Sequence, residues 1–169
     1  MIGIIYSTRH GATAKIAKVI NAHFNGACRL MNLKEMDTLV VDQCSTIVLG
    51  MSVYNNEIDE DMIHFIIDKQ DMLKEKNYSI YISSLFYKEF MDVLTPSLSY
   101  DILKNVKVIA GLGGAIYYPF LTVREKMQLK VLNNINKVIP KNYHEDVFEN
   151  FDLEEIEIFA NKIRKIDEA

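Results

Sequence analysis

The sequence predicts an α/β fold, a three-layer sandwich in which a five-stranded parallel sheet carries helices on both faces. Five short apolar runs, each bounded by turn or capping residues, have the length of buried parallel strands. Segments with helical apolar spacing separate these runs, and such alternation is typical of parallel sheets. Five strands connected in this way favour the order 2-1-3-4-5. The predicted strands are residues 2–6, 27–31, 46–50, 79–83 and 106–110.

Three predicted helices lie in the connections between these strands. Residues 13–24 and 59–72 each place their apolar side chains on one face. The second of these helices opens with three consecutive carboxylates, which the helix dipole favours in a first turn. Pro96 is suited to the first turn of a helix and predicts a short third helix that reaches Leu103.

Two further helices are predicted after the last strand. Residues 153–166 follow Asp152, a good N-cap, with Glu155 three residues later as in a capping box. The other predicted helix covers residues 123–139. Its apolar side chains fall on one stripe, namely Val123, Met127, Val131, Ile135 and Val138.

The segment around this stripe is basic. Between residues 122 and 142, Glu125 is the one carboxylate, against the cations Arg124, Lys126, Lys130, Lys137 and Lys141. Three interpretations are open for such a helix. In the first, the helix packs on the sheet and exposes a charged face. In the second, it lies on an anionic membrane, and in the third it docks an acidic redox partner.

Composition fits a single domain over residues 1–169, with 49% hydrophobic residues for a sizeable core. The net charge of −4 argues against nucleic-acid binding. Cys28 and Cys44 lack CxxC spacing, which favours a reduced, cytoplasmic setting. We see no signal peptide and no run of roughly 20 apolar residues. Membrane contact is therefore expected to be peripheral at most, at the inner face of the cell membrane.

The segment between the first strand and the first helix is rich in hydroxyl groups. Ser7, Thr8 and Thr13 offer oxygen atoms, and Gly11 permits a turn that a Cβ would obstruct. The N–H groups and the positive end of the following helix add to these donors. This hydroxyl-rich loop (residues 7–13) lies beside the topological switch point, where open parallel sheets bind ligands. It predicts a phosphate site, with an ordinary polar turn as the alternative.

Other chemistries are not indicated by the sequence. The hydroxyl-rich loop lacks the lysine of a Walker motif and the GxGxxG of a dinucleotide fold. The four histidines show no metal-ligand spacing, and no GxSxG nucleophile elbow is present. We therefore assign no metal site and no catalytic side chain. A response-regulator receiver would need acidic residues where Ser7 and Thr8 stand.

Four segments of the chain resemble a known family. STRHGAT at residues 7–13 resembles the phosphate loop of the flavodoxin superfamily, S/T-x-T-G-x-T, offset by one residue. Its form is more similar to the S-T-R-x-G-x-T of the flavodoxin-like menaquinone-dependent protoporphyrinogen oxidase family. GMSVY at 50–54, SSLFYK at 83–88 and GAIYYP at 114–119 match that family in order. The chain departs from it after GAIYYP, where FLTVR replaces an arginine-rich run with a tryptophan.

The resemblance implies a flavodoxin-like fold that binds FMN without covalent attachment. The hydroxyl-rich loop would hold the 5′-phosphate, and the loops after the third and fourth strands would flank the isoalloxazine ring. Arg9 and His10 would add positive charge near the phosphate, and aromatic side chains would offer flat faces to the ring. The implied cofactor-binding residues are Ser7, Thr8, Arg9, His10, Gly11, Ala12, Thr13, Ser52, Val53, Tyr54, Asn55, Ser84, Leu85, Phe86 and Tyr87.

Three hypotheses of function follow. The first is an FMN-dependent oxidoreductase that passes electrons from an organic donor to a quinone such as menaquinone, similar to the protoporphyrinogen oxidase family. The second is a flavodoxin-type one-electron carrier between redox proteins, which would need an acidic surface around the flavin. The third is a flavin-free binding module on the same scaffold. The hydroxyl-rich loop disfavours the third hypothesis, and the added segment at residues 114–139 favours the first.

Overall fold

A computed structural model of the chain describes residues 1–54, 57–86 and 90–169, and of Tyr54 only the backbone. The strands are β1 (Ile2–Tyr6), β2 (Arg29–Asn32), β3 (Thr46–Tyr54), β4 (Glu57–Ile58), β5 (Asn77–Ser83), β6 (Ile109–Gly111), β7 (Gly113–Tyr117) and β8 (Val147–Phe151). The helices are α1 (Ala12–His23), α2 (Thr38–Asp42), α3 (Glu60–Asp68), α4 (Gln70–Lys74), α5 (Phe90–Ser97), α6 (Tyr100–Leu103), α7 (Val123–Asn136) and α8 (Leu153–Asp167). A 3-10 turn at Tyr118–Phe120 precedes α7.

The central sheet has the predicted topology. Its path is β2-β1-β3-β5-β6, and all neighbours on this path pair in parallel. These are the five predicted strands in the order 2-1-3-4-5. The short β4, which the sequence analysis did not predict, pairs antiparallel with the end of β3. The carboxyl ends of β1, β3 and β5 therefore meet at one edge of the sheet.

Alternating side chains of the strands feed two cores, one on each face of the sheet. On one face, Ile5 and Leu49 are fully buried with residues of α3, α4, α5 and α6. On the other face, Ile4 and Val48 are fully buried with residues of α1 and α8. This arrangement confirms the three-layer sandwich.

Two helix predictions are corrected by the structure. Residues 59–72 form α3 and α4 instead of one helix, because the backbone at Lys69 (φ −105°, ψ 14°) leaves helical geometry. Pro96 does not begin a helix but lies in the last turn of α5. Proline has no N–H to continue the helical hydrogen bonds, and α5 ends one residue later. The next helix, α6, begins after Ser99.

An antiparallel pair of strands follows the sheet, which we name the β7–β8 ribbon (Gly113–Tyr117 with Val147–Phe151). Leu112 alone separates β6 from β7, and the chain bends at Gly113, whose φ is +80°. A Cβ at Gly113 would lie 2.1 Å from the carbonyl oxygen of Asn150. The bend therefore requires glycine both for its backbone angle and for space.

Helix α7 packs on this ribbon with the face opposite to the apolar stripe noted in the sequence. Leu129 is buried in a small core with Ile116 and Leu121. The predicted stripe instead faces solvent, with exposed fractions of 77%, 67%, 60% and 72% at Val123, Met127, Val131 and Ile135. Val138 follows the end of α7 and is partly buried against the small core. Among the described residues, no helix is long and apolar enough to cross a bilayer.

The bend at Gly113 gives a stability prediction with a matched control. Gly113→Ala should lower the free energy of unfolding by at least about 3 kcal/mol, because the added methyl group collides with backbone. Gly26 also has a positive φ (+77°), but its Cβ would meet nothing within 4 Å. Gly26→Ala should cost only about 1 kcal/mol of backbone strain. Urea unfolding measures both variants, and equal losses would contradict the steric account.

Candidate functional site

The hydroxyl-rich loop connects the carboxyl end of β1 to the start of α1. The N–H of Ser7 donates to the carbonyl of Gly50 on β3 (3.0 Å), which continues the pairing of β1 and β3 into the loop. The N–H of Gly11 donates to the hydroxyl oxygen of Thr8 (2.9 Å). Gly11 has a φ of 97° and occupies the N-cap position, where it provides no side-chain cap. The N-terminus of α1 therefore keeps its capacity to bind an anion.

Thr13 places a buried hydroxyl group at this helix N-terminus. Its exposed fraction is 1%, and among the residues that the structure describes its Oγ1 has no hydrogen-bond partner. A buried polar atom without a partner costs free energy and calls for an explanation. Because Thr13 lines the cleft next to the loop, a ligand oxygen in the cleft is the explanation that fits both its position and its chemistry.

Tyr81 fixes the backbone on which this hydroxyl group sits. Its phenol oxygen donates to the carbonyl of Thr13 (2.8 Å), and its ring is fully buried. The ring occupies the space above Gly50, where a Cβ would lie 2.1 Å from Cζ of Tyr81. On its other side it meets Phe159 of α8 edge-on, with 6.3 Å between centroids. The start of α1 is thus tied to the centre of the sheet.

A cleft opens between this loop, the carboxyl ends of β3 and β5, the β7–β8 ribbon and α7. The structure brings ten of the predicted site residues to its wall, namely Thr8, Arg9, His10, Ala12, Thr13, Ser52, Val53, Ser84, Leu85 and Phe86.

The remaining predicted residues lie elsewhere or are not described. Ser7 is buried and lines a second groove on the other side of the loop. Gly11 shapes the loop through its backbone. Asn55 and Tyr87 lie outside the described residues, as does the side chain of Tyr54. Their predicted contacts with a flavin ring stay predictions.

The ribbon and α7 contribute a wall of the cleft that the sequence analysis missed. The backbone of β7 comes close to the loop after β5, since a Cβ at Gly114 would lie 2.6 Å from the carbonyl carbon of Ser84. Ile116, Leu129 and Leu132 add apolar surface to the wall. One local signal was available: Thr122 followed three residues later by Glu125 is the pattern of a capping box.

Glu125 joins α7 to the hydroxyl-rich loop. Its carboxylate accepts the N–H of Thr122 (2.7 Å) and forms an ion pair with Arg9, whose Nη2 lies 2.9 Å from Oε1. The contact with Arg9 meets the distance for an ion pair but not the alignment of a hydrogen bond. Burial opposes ionisation of Glu125, yet the hydrogen bonds from Thr122 and the charges of Arg9 and His10 hold its pKa below the ordinary value. Glu125 is therefore a carboxylate at neutral pH.

The positive charge predicted for His10 near a phosphate stays a prediction. Burial lowers the pKa of His10, the nearby Glu125 opposes this effect, and Arg9 adds to it. These surroundings favour the neutral imidazole, whereas the guanidinium group of Arg9 is always charged. The His10 ring stacks on Phe120 with 6.2 Å between centroids.

Acidic side chains line the second groove, on the side of the loop that faces the end of β3. Glu57, Asp59, Glu60 and Asp61 stand here beside Ser7 and Ser52. Asp59 caps α3 by accepting the N–H of Met62 (3.1 Å). In the part of the chain that the structure describes, no group of three or more His, Cys, Asp and Glu residues is arranged to hold a metal ion.

The structure defines a doubly wound α/β protein with a hydroxyl-rich loop at the switch point of its sheet. The family model of the flavodoxin domain matches residues 3–141. The chain belongs to this flavodoxin domain family. A sequence search among curated proteins finds no match.

Solved flavodoxin structures share the fold at low sequence identity. Streptococcus pneumoniae TIGR4 flavodoxin is 14% identical with a TM-score of 0.58, covering 97% of each chain. Flavodoxin 1 from Bacillus cereus is also 14% identical, with a TM-score of 0.54 and the same coverage. A short-chain flavodoxin associated with a PDU bacterial microcompartment is 16% identical, with a TM-score of 0.56 over 97% of this chain and 96% of that one. These likenesses show that the fold is shared, while the family rests on the flavodoxin domain model. The narrower resemblance to the protoporphyrinogen oxidase family stays a prediction.

The buried carboxylate of Glu125 gives a pH-dependent prediction. The pKa of Glu125 is lower in the folded protein than in the unfolded chain. The carboxylate therefore contributes fully to stability above the pKa of the unfolded chain, and this contribution is lost as the pH falls through the pKa of the folded protein. Glu125→Gln should lower the free energy of unfolding by about 1–2 kcal/mol at pH 7. The difference in stability between Glu125→Gln and the wild type should close as the pH falls through the lowered pKa of Glu125.

Glu149→Gln provides the control, because Glu149 pairs with Lys15 at the exposed surface. Its cost at pH 7 should stay below about 0.5 kcal/mol. A Glu125→Gln variant as stable as the wild type at pH 7 would show that the pair with Arg9 does not stabilise α7 on the loop.

Proposed function

We propose that this protein binds FMN and transfers electrons, with the FMN phosphate held by the hydroxyl-rich loop. The observation that carries the proposal is the buried, unpartnered hydroxyl group of Thr13 at the uncapped N-terminus of α1. Membership in the flavodoxin domain family supports FMN as the cofactor.

The residues of the cleft fit a phosphate ester with an apolar ring system. The first N–H groups of α1 and the hydroxyl groups of Thr8 and Thr13 are donors for phosphate oxygens. Arg9 lines the same cleft and would balance the negative charge, and Glu125 holds it against α7. Leu85 and Phe86 offer apolar surface after β5. When bound, FMN supplies the one- and two-electron chemistry, while the protein orients it and excludes water.

The finer proposal is an oxidoreductase that passes electrons from an organic donor to a quinone. It is favoured by the wall that the β7–β8 ribbon and α7 add to the cleft, since Ile116, Leu129 and Leu132 enclose space suited to an apolar substrate. A protein that only exchanges electrons with other proteins has less need of such a wall. No side chain stands out as an acid or a base, so the flavin itself would carry the reaction.

A one-electron carrier is the second candidate, and a different observation favours it. The acidic groove formed by Glu57, Asp59, Glu60 and Asp61 lies beside the hydroxyl-rich loop. Carboxylates at the rim of a redox centre steer basic partner proteins toward it.

Removal of one hydroxyl group tests the phosphate site. Thr13→Val keeps the shape of the side chain and deletes the donor, so the Kd for FMN should rise at least about tenfold. The stability of the FMN-free protein should stay the same or increase, because an unpartnered polar atom is removed from the interior. Fluorescence titration with FMN and urea unfolding provide the two measurements.

Thr46→Val is the matched control for this experiment. Thr46 is likewise 1% exposed with an unpartnered hydroxyl group, but it begins β3, at the opposite end from the loop. Its substitution should leave FMN binding unchanged. If the Thr13 variant bound FMN as tightly as the wild type, the phosphate would not be held by this loop.

The number of electrons taken up in each step separates the two candidates. In an anaerobic reductive titration of the FMN-loaded protein, the oxidoreductase predicts that two electrons enter together. A carrier predicts two steps well separated in potential, because it must stabilise the state between them. Two separated steps would therefore contradict the quinone proposal and favour the carrier.

A further inference from the structure

Helix α7 carries apolar side chains on two opposite faces. Its inner face packs Leu129 against Ile116 of the ribbon. Its outer face presents a row spaced four residues apart, which we name the outer stripe: Val123, Met127, Val131 and Ile135, each at least 60% exposed. A surface helix of a globular protein normally has a polar outer face, so this stripe requires a partner.

We propose that the outer stripe docks this protein on the surface of an anionic lipid bilayer. The stripe would sink into the boundary between headgroups and acyl chains, with α7 lying parallel to the membrane plane. The contact does not depend on what the hydroxyl-rich loop binds.

The charges around the outer stripe fit anionic lipid. Lys126 and Lys130 lie along one flank of the stripe, and Arg124 lies beside it on the other flank; all three are exposed. Within α7, all of which the structure describes, Glu125 is the only carboxylate, and it is turned inward to Arg9. The exposed surface of α7 is therefore basic and apolar, although the whole chain has a net charge of −4.

The helix is held in place by the protein and needs no lipid to form. Thr122 and Glu125 form a complete capping box at its N-terminus. At the other end, the side-chain amide of Asn133 donates to the carbonyl of Ile139 (2.9 Å) and accepts its N–H (2.7 Å). The outer stripe is thus held in a fixed position. Docking therefore does not require the conformational entropy loss of folding the helix on the membrane.

The shape of the outer stripe favours a bilayer over a protein partner. It is a single row of aliphatic side chains on a convex helix, whereas protein interfaces depend on anchor residues that fill pockets. A fluid bilayer adapts to such a ridge, and the stems of Lys126 and Lys130 can lie along the apolar region while their ammonium groups reach phosphates. Phe120, 64% exposed, stands at the N-terminal end of the row beside His10. The docked face therefore adjoins the mouth of the cleft.

Co-sedimentation with vesicles tests this proposal on the full chain. Wild-type protein should pellet with vesicles of phosphatidylcholine mixed with phosphatidylglycerol and stay in the supernatant with phosphatidylcholine alone. Binding should weaken as salt is raised. Met127→Glu/Val131→Glu should reduce binding at least about tenfold, because it places two carboxylates within the stripe.

The matched control introduces the same two charges on other surfaces. Leu39 and Leu153 are 68% and 65% exposed, and Leu39→Glu/Leu153→Glu should bind vesicles nearly as well as the wild type. Unfolding curves and FMN titrations of both variants show that fold and cleft are intact, which separates loss of docking from loss of structure.

Four results would overturn the proposal. In the first, wild-type protein fails to bind anionic vesicles. In the second, it binds both vesicle types equally. In the third, the two double variants lose binding to the same extent. In the fourth, the wild type self-associates without lipid and Met127→Glu/Val131→Glu abolishes this association, so that a second copy of the chain covers the stripe.

Discussion

The position of the candidate site depends on one buried residue, Tyr81. Its ring fills the space that Gly50 leaves on the neighbouring strand, so β3 and β5 are matched at the level where their carboxyl ends begin. Its hydroxyl group donates to the carbonyl of Thr13 and fixes the first turn of α1, and its ring also contacts Phe159 of α8. Tyr81 therefore links the sheet, the N-terminus of α1 and α8. Because the hydroxyl-rich loop is anchored to these elements, its donors are held in a fixed arrangement, which is the condition for selective binding of a phosphate group.

The β7–β8 ribbon and α7 turn an open loop into a cleft. The bend at Gly113 sends the chain away from the sheet, and the close approach of Gly114 to Ser84 sets the ribbon against the loop after β5. Glu125 of α7 then forms an ion pair with Arg9 of the hydroxyl-rich loop. With FMN bound as proposed, this one carboxylate would keep the guanidinium group near the phosphate and hold α7 over the flavin. The same helix presents the outer stripe to its surroundings, so a bilayer on that stripe would bring an apolar electron acceptor close to the cleft.

Local pattern was sufficient to predict the sheet and the loop. Buried parallel strands are short apolar runs, and the first loop combined hydroxyl groups with a glycine before a helix, so both signals lie within a few residues of chain. The ribbon was not predictable in this way, because β8 is recognised only by pairing with β7, whose residues lie 30 to 38 positions earlier in the chain. Which face of α7 is buried could not be predicted, since both of its faces carry apolar residues and periodicity alone does not say which face is buried. The ion pair between Arg9 and Glu125 joins residues that only the folded chain brings together.

The central claim is that the hydroxyl-rich loop recognises the phosphate group of FMN, and a comparison of FMN with riboflavin tests it most directly. The two molecules share the flavin ring and the ribityl chain, and only FMN has the phosphate. Several charge-assisted hydrogen bonds to that group predict that the wild-type protein binds FMN at least about a hundredfold more tightly than riboflavin in isothermal titration calorimetry. Equal affinities for the two flavins would contradict the account, because the ring would then be bound without any contribution from Thr13 and the N-terminus of α1.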